Sequence, residues 1–409
     1  MKIIHTSDWH LGRSLYGRKR YEESAQFLDW LIECIQQEQT DVLLVAGDIF
    51  DNSTPSNRAL ELYYRFLHRV AGSHCRHVII TAGNHDSPSL LNAPREVLRY
   101  LNVHVVGCVD DDPENEVLVL NDADENPELI VCAVPYLRDR DIRNAQAGES
   151  IEDKNRKLVS GIREHYQTVC GLAEARRSKI GANIPIIALG HLFTAGGQTV
   201  EGDGVRELYM GSLGHVGIDA FPKSIDYLGL GHLHTPQKVA GFATRRYCGS
   251  PIPISFGEAR QQKIVLSAEF TKNKVVVNEI TVPCFQVLET LSGSWDEITR
   301  RIDELKDNRT SAWLEILYQG DEIIDSIQQH LQEMTEGSGL EILRIKNARL
   351  VERALSRMST EETLDDLSEN DVFARCLAAH DVPLEQHQGL TLSFQEIVAA
   401  LHGEDARAE

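Results

Sequence analysis

Five times along this chain a short apolar run stops at residues able to hold a metal ion. The first, Ile3-Ile4, leads to Ser7-Asp8-Trp9-His10. Val42-Leu43-Leu44-Val45-Ala46 leads to Gly47-Asp48, and Val78-Ile79-Ile80-Thr81 leads to Gly83-Asn84-His85-Asp86. Later, Ile186-Ile187-Ala188-Leu189 leads to Gly190-His191, and Tyr227-Leu228-Gly229-Leu230 leads to Gly231-His232-Leu233-His234. Short apolar runs bounded by turn residues predict buried strands of a parallel sheet. Residues two apart on a strand share a side, so Asp8 and His10 are expected in one cavity. The glycines let the backbone turn tightly where it must come close to an ion. One such end would be an ordinary turn. Five predict a single constellation, because α/β sheets collect ligands outside the carboxyl ends of their strands.

That constellation is Asp8, His10, Asp48, Asn84, His191, His232 and His234. Seven donors are too many for one ion, and the absence of thiolates argues against a closed structural zinc. Two divalent ions bridged by one carboxylate fit better. His85 follows Asn84 and points away from the ligand direction, so it is free to reach a substrate, and Asp86 is placed to orient it. Asp51 is expected to brace the loop behind the ligands. Oxygen and imidazole donors suit Mn²⁺, with iron and zinc left open.

The helices between the first strands read directly. Phe27, Leu28, Leu31, Ile32 and Ile35 recur at spacings of three and four across 21–37. Ser53-Thr54-Pro55-Ser56 starts a second helix, with Leu62, Tyr63, Phe66 and Val70 on its apolar face. Both are crossovers between parallel strands. The acidic segment 110–128 is expected as a surface hairpin or insertion. Residues 150–180 read as a charged helix, 198–222 as a glycine-rich loop, and 247–256 and 263–278 as closing strands. From 285 the rhythm becomes strand, helix, strand, helix, strand with no ligand-type cluster, which marks a binding or structural domain. The stretch 351–409 is acidic and helical, and Leu390, Phe394, Ile397 and Leu401 form one apolar stripe.

Taken together, Asp8-x-His10, Gly47-Asp48-x-x-Asp51, Gly83-Asn84-His85-Asp86, Gly190-His191 and Gly231-His232-x-His234 resemble the calcineurin-like metallophosphoesterase superfamily. Ser7-Asp8-Trp9-His10-Leu11-Gly12 and Cys248-Gly249-Ser250-Pro251-Ile252-Pro253 further resemble its DNA double-strand-break nucleases. The resemblance implies an α/β metallophosphoesterase β-sandwich flanked by helices over 1–284, a smaller α+β capping domain over 285–350, and a helical tail over 351–409. It implies that Asp8, His10, Asp48 and His234 hold one ion and that Asp48, Asn84, His191 and His232 hold the other. His85 and Asp86 would then serve catalysis. The implied reaction is metal-dependent hydrolysis of DNA phosphodiester bonds. It covers 3'-5' exonuclease action on duplex ends and endonuclease action on single strands and hairpins, in replication, recombination and repair. The implied partners are DNA, a second copy of the chain and an SMC-like ATPase docked on the tail in a heterotetramer. A phosphatase or cyclic-nucleotide phosphodiesterase on the same core is the alternative reading, and a non-catalytic scaffold a third. The second domain and tail speak against the former, the complete ligand set against the latter.

A net charge of -21 looks wrong for a DNA-handling protein, since phosphate contacts want Lys and Arg. The distribution resolves this. Residues 110–128 and 351–409 each carry -9, leaving the remainder nearly neutral. Local basic clusters can then meet DNA: Arg13, Arg18, Lys19 and Arg20; Arg138, Arg140 and Arg143; or Arg176, Arg177 and Lys179. Eight scattered cysteines without a Cys-x-x-Cys pair are expected as reduced thiols. No signal peptide or membrane span is read, and a cytoplasmic, nucleoid-associated location is expected.

Overall fold

The computed structural model describes residues 1–142, 149–194, 216–271, 274–320 and 327–347, together with Phe373, Leu377, Leu390, Thr391 and Phe394. The chain divides into two compact units, Met1–Val287 and Leu288–Glu409.

The first unit is built on two six-stranded sheets. One has the order Lys274–Thr281, Ile264–Thr271, Lys2–Thr6, Val42–Ala46, His77–Thr81, Val103–Val106. The other runs Gln237–Lys238, Arg245–Tyr247, Tyr227–Gly231, Ile186–His191, Pro127–Ala133, Val117–Asn121. Four adjacent strands in each sheet are parallel. The flanking pairs are antiparallel.

Alternation along the strands separates three large cores among the described residues. Ile3, Val42, Leu44 and Ile79 of the first sheet meet Leu129, Val131, Ile187 and Leu189 of the second. The opposite parity of the first sheet, Ile4, Leu43, Val45 and Ile80, packs under the helices Tyr21–Gln37 and Asn57–Ala71 through Phe27, Leu31, Ile35, Phe66 and Val70. The second sheet turns Ile130, Cys132, Ala188 and Leu228 toward Tyr166, Val169 and Ala173 of the helix Ile151–Ile180. The result is a helix–sheet–sheet–helix sandwich. Each fully buried Leu, Ile or Phe contributes about 1.5–3 kcal/mol, so the sheets are fixed firmly enough to carry a precise site.

One sequence expectation is sharpened, the hairpin of 110–128, and another shifts. Within 110–128, Val117–Asn121 is an edge strand of the second sheet, paired to Pro127–Ala133 with a register shift after Leu120. Val117 and Leu120 are 3% and 1% exposed, an apolar pair that charge counting overlooked. The stretch 247–256 is strand only up to Tyr247. Gly249, Pro251 and Pro253 explain the break, since proline cannot donate to a ladder. Of the loop expected over 198–222, residues 198–215 lie outside the described residues.

In the second unit the strands Val287–Gly293, Ala312–Tyr318 and Leu340–Asn347 form a three-stranded sheet in that order, the last two parallel. Ser294 and Glu297 form a capping box on the helix Trp295–Asp307. Ile298, Ile302 and Leu305 of that helix, with Leu331 of Ile327–Thr335, cover Leu291, Leu314 and Ile316. In the tail, Phe373 and Phe394 stack at 4.1 Å, so one member of the apolar stripe already has a partner in its own chain. Leu390 is 40% exposed. Ile397 and Leu401 lie outside the described residues.

Candidate metal centre

Register brings the ligand-bearing ends level. Thr6 pairs with Val45 and Ala46 with Thr81, while Gly231 pairs with His191. Beyond the ladder, the amides of Asp8 and His10 donate to Gly47 O and Asp48 O, both at 3.0 Å, which ties the first two loops together. Asp8, His10, Asp48 and His232 all have positive φ, at 54°, 46°, 50° and 96°. Left-handed backbone at non-glycine positions costs roughly 1–3 kcal/mol each and survives only where the surroundings impose it. Four such residues in one ligand set are therefore the mark of a functional cluster.

The glycines are there because the strand ends touch. Gly47 sits at φ 84°, and a Cβ there would run into His191 Nδ1. A Cβ on Gly231 would run into the Ala46 carbonyl. Ala46 and Gly47 belong to the first sheet and His191 and Gly231 to the second, so these contacts stitch the two sheets at the site.

The candidate donors lie close together. His10 Nε2 faces His234 Nε2 at 3.3 Å and lies 3.6 Å from Asp48 Oδ2. Asp48 Oδ2 is also 3.3 Å from His191 Nε2. Asn84 Oδ1 lies 3.1 Å from His191 Nε2 and 3.0 Å from His232 Nδ1. Asp8, His10 and His234 could grip one ion, and Asp8, Asp48 and His191 also come within 4.8 Å of one another. Asp8, His10, Asp48, His191, His232 and His234 are all at most 5% exposed.

Groups behind the donors fix which ring nitrogen looks inward. His191 Nδ1 is held by Ala46 O at 2.9 Å, and His234 Nδ1 by Glu258 Oε1 at 3.2 Å. With Nδ1 donating, each ring presents an Nε2 lone pair, the form a metal requires. His10 Nδ1 lies 3.5 Å from Asp51 Oδ1, and Arg13 holds the same oxygen at 2.8 Å. This oxygen-and-imidazole set, preoriented and nearly dry, fits divalent ions.

The charges favour a cation as well. Burial resists ionisation of Asp48, but the imidazoles of His191, His10 and His85 outweigh it and hold the carboxyl well below its usual range. Burial likewise works against a charged His191, yet the Asp48 carboxylate wins and raises it to about 9. Burial, then His191, pushes His232 down to about 3. Without a metal, the His191 proton balances Asp48. Binding an ion exchanges that proton for a larger charge.

His85 sits beside this set, its ring 4.9 Å from that of His10. Its amide donates to Asp48 Oδ1 at 2.9 Å, and its Nδ1 meets Asp51 O at 2.7 Å. The group expected to orient it was Asp86, and that expectation is corrected. Asp86 instead accepts from the amides of Gly83, Ile49 and Phe50 at 2.8, 3.1 and 2.9 Å. It pins the Asp48 loop to the Asn84 loop, while the backbone of Asp51 orients His85.

The basic clusters also separate. Arg20 is 2% exposed and engages both oxygens of Glu23, so it leaves the first cluster as a DNA candidate. Arg176 is committed to Val117 O and Glu114. Arg138 reaches Asp86 O at 3.4 Å, at the margin of the site. Arg143 lies outside the described residues. Glu258 was missed. It stands 24 residues beyond His234 in a stretch without periodicity, where no local pattern marks its buried pairing with Lys263.

Comparison with known proteins adds the following. The calcineurin-like phosphoesterase family profile matches residues 1–236. The type 5 capsule protein repressor C-terminal domain profile matches residues 284–381. The chain is 37% identical over 99% of both chains to the SbcD component of the nuclease SbcCD of Escherichia coli K12. It is 36% identical to the SbcD protein of Rhodobacter capsulatus, covering 63% of this chain and 64% of that one. Against that of Bacillus subtilis it is 34% identical over 65% of each. No helix among the described residues is long and apolar enough to cross a membrane.

Proposed function

This chain belongs to the calcineurin-like phosphoesterase family and to its SbcD nuclease branch, and we propose that it hydrolyses DNA phosphodiester bonds with two divalent ions held where its two sheets meet. Asp8, His10, Asp48 and His234 hold one ion and Asp48, Asn84, His191 and His232 the other, with Asp48 shared. The preferred metal is Mn²⁺, in keeping with oxygen and imidazole donors. Bound there, the ions supply Lewis acidity toward a phosphate oxygen and acidify a water. The observation that supports this reading most strongly is the shared position of Asp48 Oδ2, 3.6 Å from His10 Nε2 and 3.3 Å from His191 Nε2.

The protein's own groups do the positioning. Asp86, by gathering three amides from two loops, keeps Asp48 and Asn84 in register. His85, its Nδ1 fixed on Asp51 O, offers Nε2 to a scissile phosphate and in its protonated form gives a proton to the leaving oxygen. Such general acid help is worth roughly 10²–10⁴ in rate.

In this reading the chain is a 3'-5' exonuclease on duplex ends when joined to an SbcC-type ATPase and an endonuclease on single strands and hairpins. It works in replication, recombination and repair, in the cytoplasm at the nucleoid. Two copies pair, two ATPase chains complete a heterotetramer, and the tail 351–409 docks the ATPase while 285–350 serves as the capping domain. The C-terminal profile match favours this over a phosphatase on the same core. The test incubates the purified chain with Mn²⁺ and either linear duplex DNA, with and without ATPase and ATP, or a simple phosphomonoester. Metal-dependent DNA digestion that gains ATP dependence at duplex ends is expected. Turnover of the phosphomonoester with DNA untouched would restore the phosphatase reading.

A further inference from the structure

The segment Cys248-Gly249-Ser250, outside the ligand set, touches the backing of two ligands from opposite ends. Ser250 Oγ donates to Glu258 Oε2 at 3.1 Å, and the other oxygen of that carboxylate faces His234 Nδ1 at 3.2 Å. The amide of Ser250 donates to His234 O at 3.2 Å. The amide of Ile254 donates to Glu258 Oε2 at 3.1 Å, and Lys263 Nζ pairs with that same oxygen. Lys263 Nζ also reaches Ser250 Oγ at 3.0 Å and His234 O at 3.2 Å. Gly249, at φ 76°, lies so close beneath this strand end that a Cβ would come within 2.5 Å of His234 O and 2.8 Å of Pro236 Cδ. Glu258 is 0% and Lys263 4% exposed, so neither charge is screened by water. Breaking such a pair is costly, and it holds its neighbours in one geometry.

At the other end, Cys248 Sγ lies 3.1 Å from Ser7 Oγ and 3.7 Å from His5 Nε2. Ser7 Oγ donates to Asp8 Oδ2, and His5 Nδ1 lies 3.0 Å from Tyr227 OH. Asp8 is a carboxylate and can only accept, which sets the direction of the whole chain. Serine has one hydroxyl proton and gives it to Asp8, so the thiol gives its proton to Ser7. His5 then donates from Nε2 to sulfur, and Tyr227 donates to His5 Nδ1. All five side chains are buried at 0% exposure. Directed chains of this kind polarise one another and fix the orientation of the last acceptor.

Asp8 and His234 group with His10, and although Asp8 also comes within 4.8 Å of Asp48 and His191, the ligand assignment proposed above puts Asp8 and His234 on the same ion. We infer that Cys248-Gly249-Ser250 is a single brace that positions Asp8 through the Cys248 thiol and His234 through Ser250 and Glu258, so that it governs the affinity of one ion of the pair. Resting on the two-ion reading above, the brace assigns Glu258, Lys263 and Cys248 as positioning residues. Removing groups that orient ligands costs roughly 10–100-fold in metal affinity. The loss should fall on the ion held by Asp8, His10 and His234, with the other ion's affinity unchanged.

The test titrates Mn²⁺ into metal-stripped wild-type protein, Glu258→Gln, Cys248→Ala and Cys248→Ser, following free Mn²⁺ by electron paramagnetic resonance, with Tm measured alongside. The double variant Glu258→Gln/Lys263→Met, which strands no buried charge, covers the case in which Glu258→Gln fails to fold. In Glu258→Gln, or in the double variant, and in Cys248→Ala, one of two affinities should weaken roughly 10–100-fold. Cys248→Ser, which keeps a donor, should restore it. Raising Mn²⁺ should return activity to the variants, which a misfolded site would not allow. Wild-type protein binding two ions and variants binding both with unchanged affinities would overturn the brace while leaving the site reading intact. Equal weakening of both ions would overturn the selectivity. Wild-type protein binding fewer than two ions would fell the site reading itself.

Discussion

The two sheets contribute unlike chemistry to one site. The first sheet, from the ends of Lys2–Thr6, Val42–Ala46 and His77–Thr81, supplies every oxygen donor, Asp8, Asp48 and Asn84, with His10 and His85. The second, from Ile186–His191 and Tyr227–Gly231, supplies only imidazoles, His191, His232 and His234. Three of the four left-handed ligand positions belong to the first sheet, and the stitches run across, as where the amide of His232 donates to Asp8 Oδ1 at 3.0 Å. Neither sheet alone supplies the full set of candidate donors. The site exists when the inter-sheet core of Ile3, Leu44, Val131 and Leu189 has formed, so metal binding reports on packing and stabilises it by linkage.

The sharpest way to break the contrast is at Asp48. Asp48→Ala should lose both ions and abolish turnover, whereas Asp8→Ala should mainly weaken one; metal content after dialysis decides between them. His85→Ala removes no ligand, so it should cost roughly 10²–10⁴ in kcat while metal content stays at the wild-type value. A variant short of metal would move His85 into the ligand set.

The second sheet's share is tested by pH. His191 is raised from 6.5 to about 9 by Asp48. In the metal-free protein the raised His191 therefore contributes stability that is complete below 6.5, as long as Asp48 stays ionised, and fades as pH rises through 9. Metal must displace the His191 proton, so affinity for the ion that His191 would hold should climb roughly tenfold per pH unit up to about 9, with one proton released as that ion binds. Calorimetry in buffers of different ionisation enthalpy counts that proton. The smallest expected effect is at the seam. Gly231→Ala presses a methyl on Ala46 O and should destabilise the fold by about 1–3 kcal/mol, read as a lower Tm in metal-free protein.

How much of this the sequence disclosed follows the same division. The candidate donors were legible as a group because each follows a short apolar strand, and recurrence at five ends is hard to produce by packing alone. The helices Tyr21–Gln37 and Asn57–Ala71 were legible from their 3.6-residue periodicity. What escaped notice depends on contacts that carry no period. Asp86 looked like a partner for its neighbour His85, but its carboxylate turns to amides 37 and 36 residues away in the Asp48 loop. Arg20 belonged by composition to a basic cluster, yet its guanidinium is paired with Glu23 one helical turn on. Glu258 and Cys248 act across 24 and 241 residues of chain. Distances of that kind appear only after the sheets have closed.

The central claim is that Asp48 joins two ions where the sheets meet. Its most direct test is electron paramagnetic resonance of the wild-type protein loaded with Mn²⁺, with the metal-to-protein ratio measured on the same sample. Two equivalents of Mn²⁺ with the spectrum of an exchange-coupled pair, absent from Asp48→Ala, are what this arrangement predicts. A single equivalent, or two uncoupled ions whose signals survive in Asp48→Ala, would contradict it.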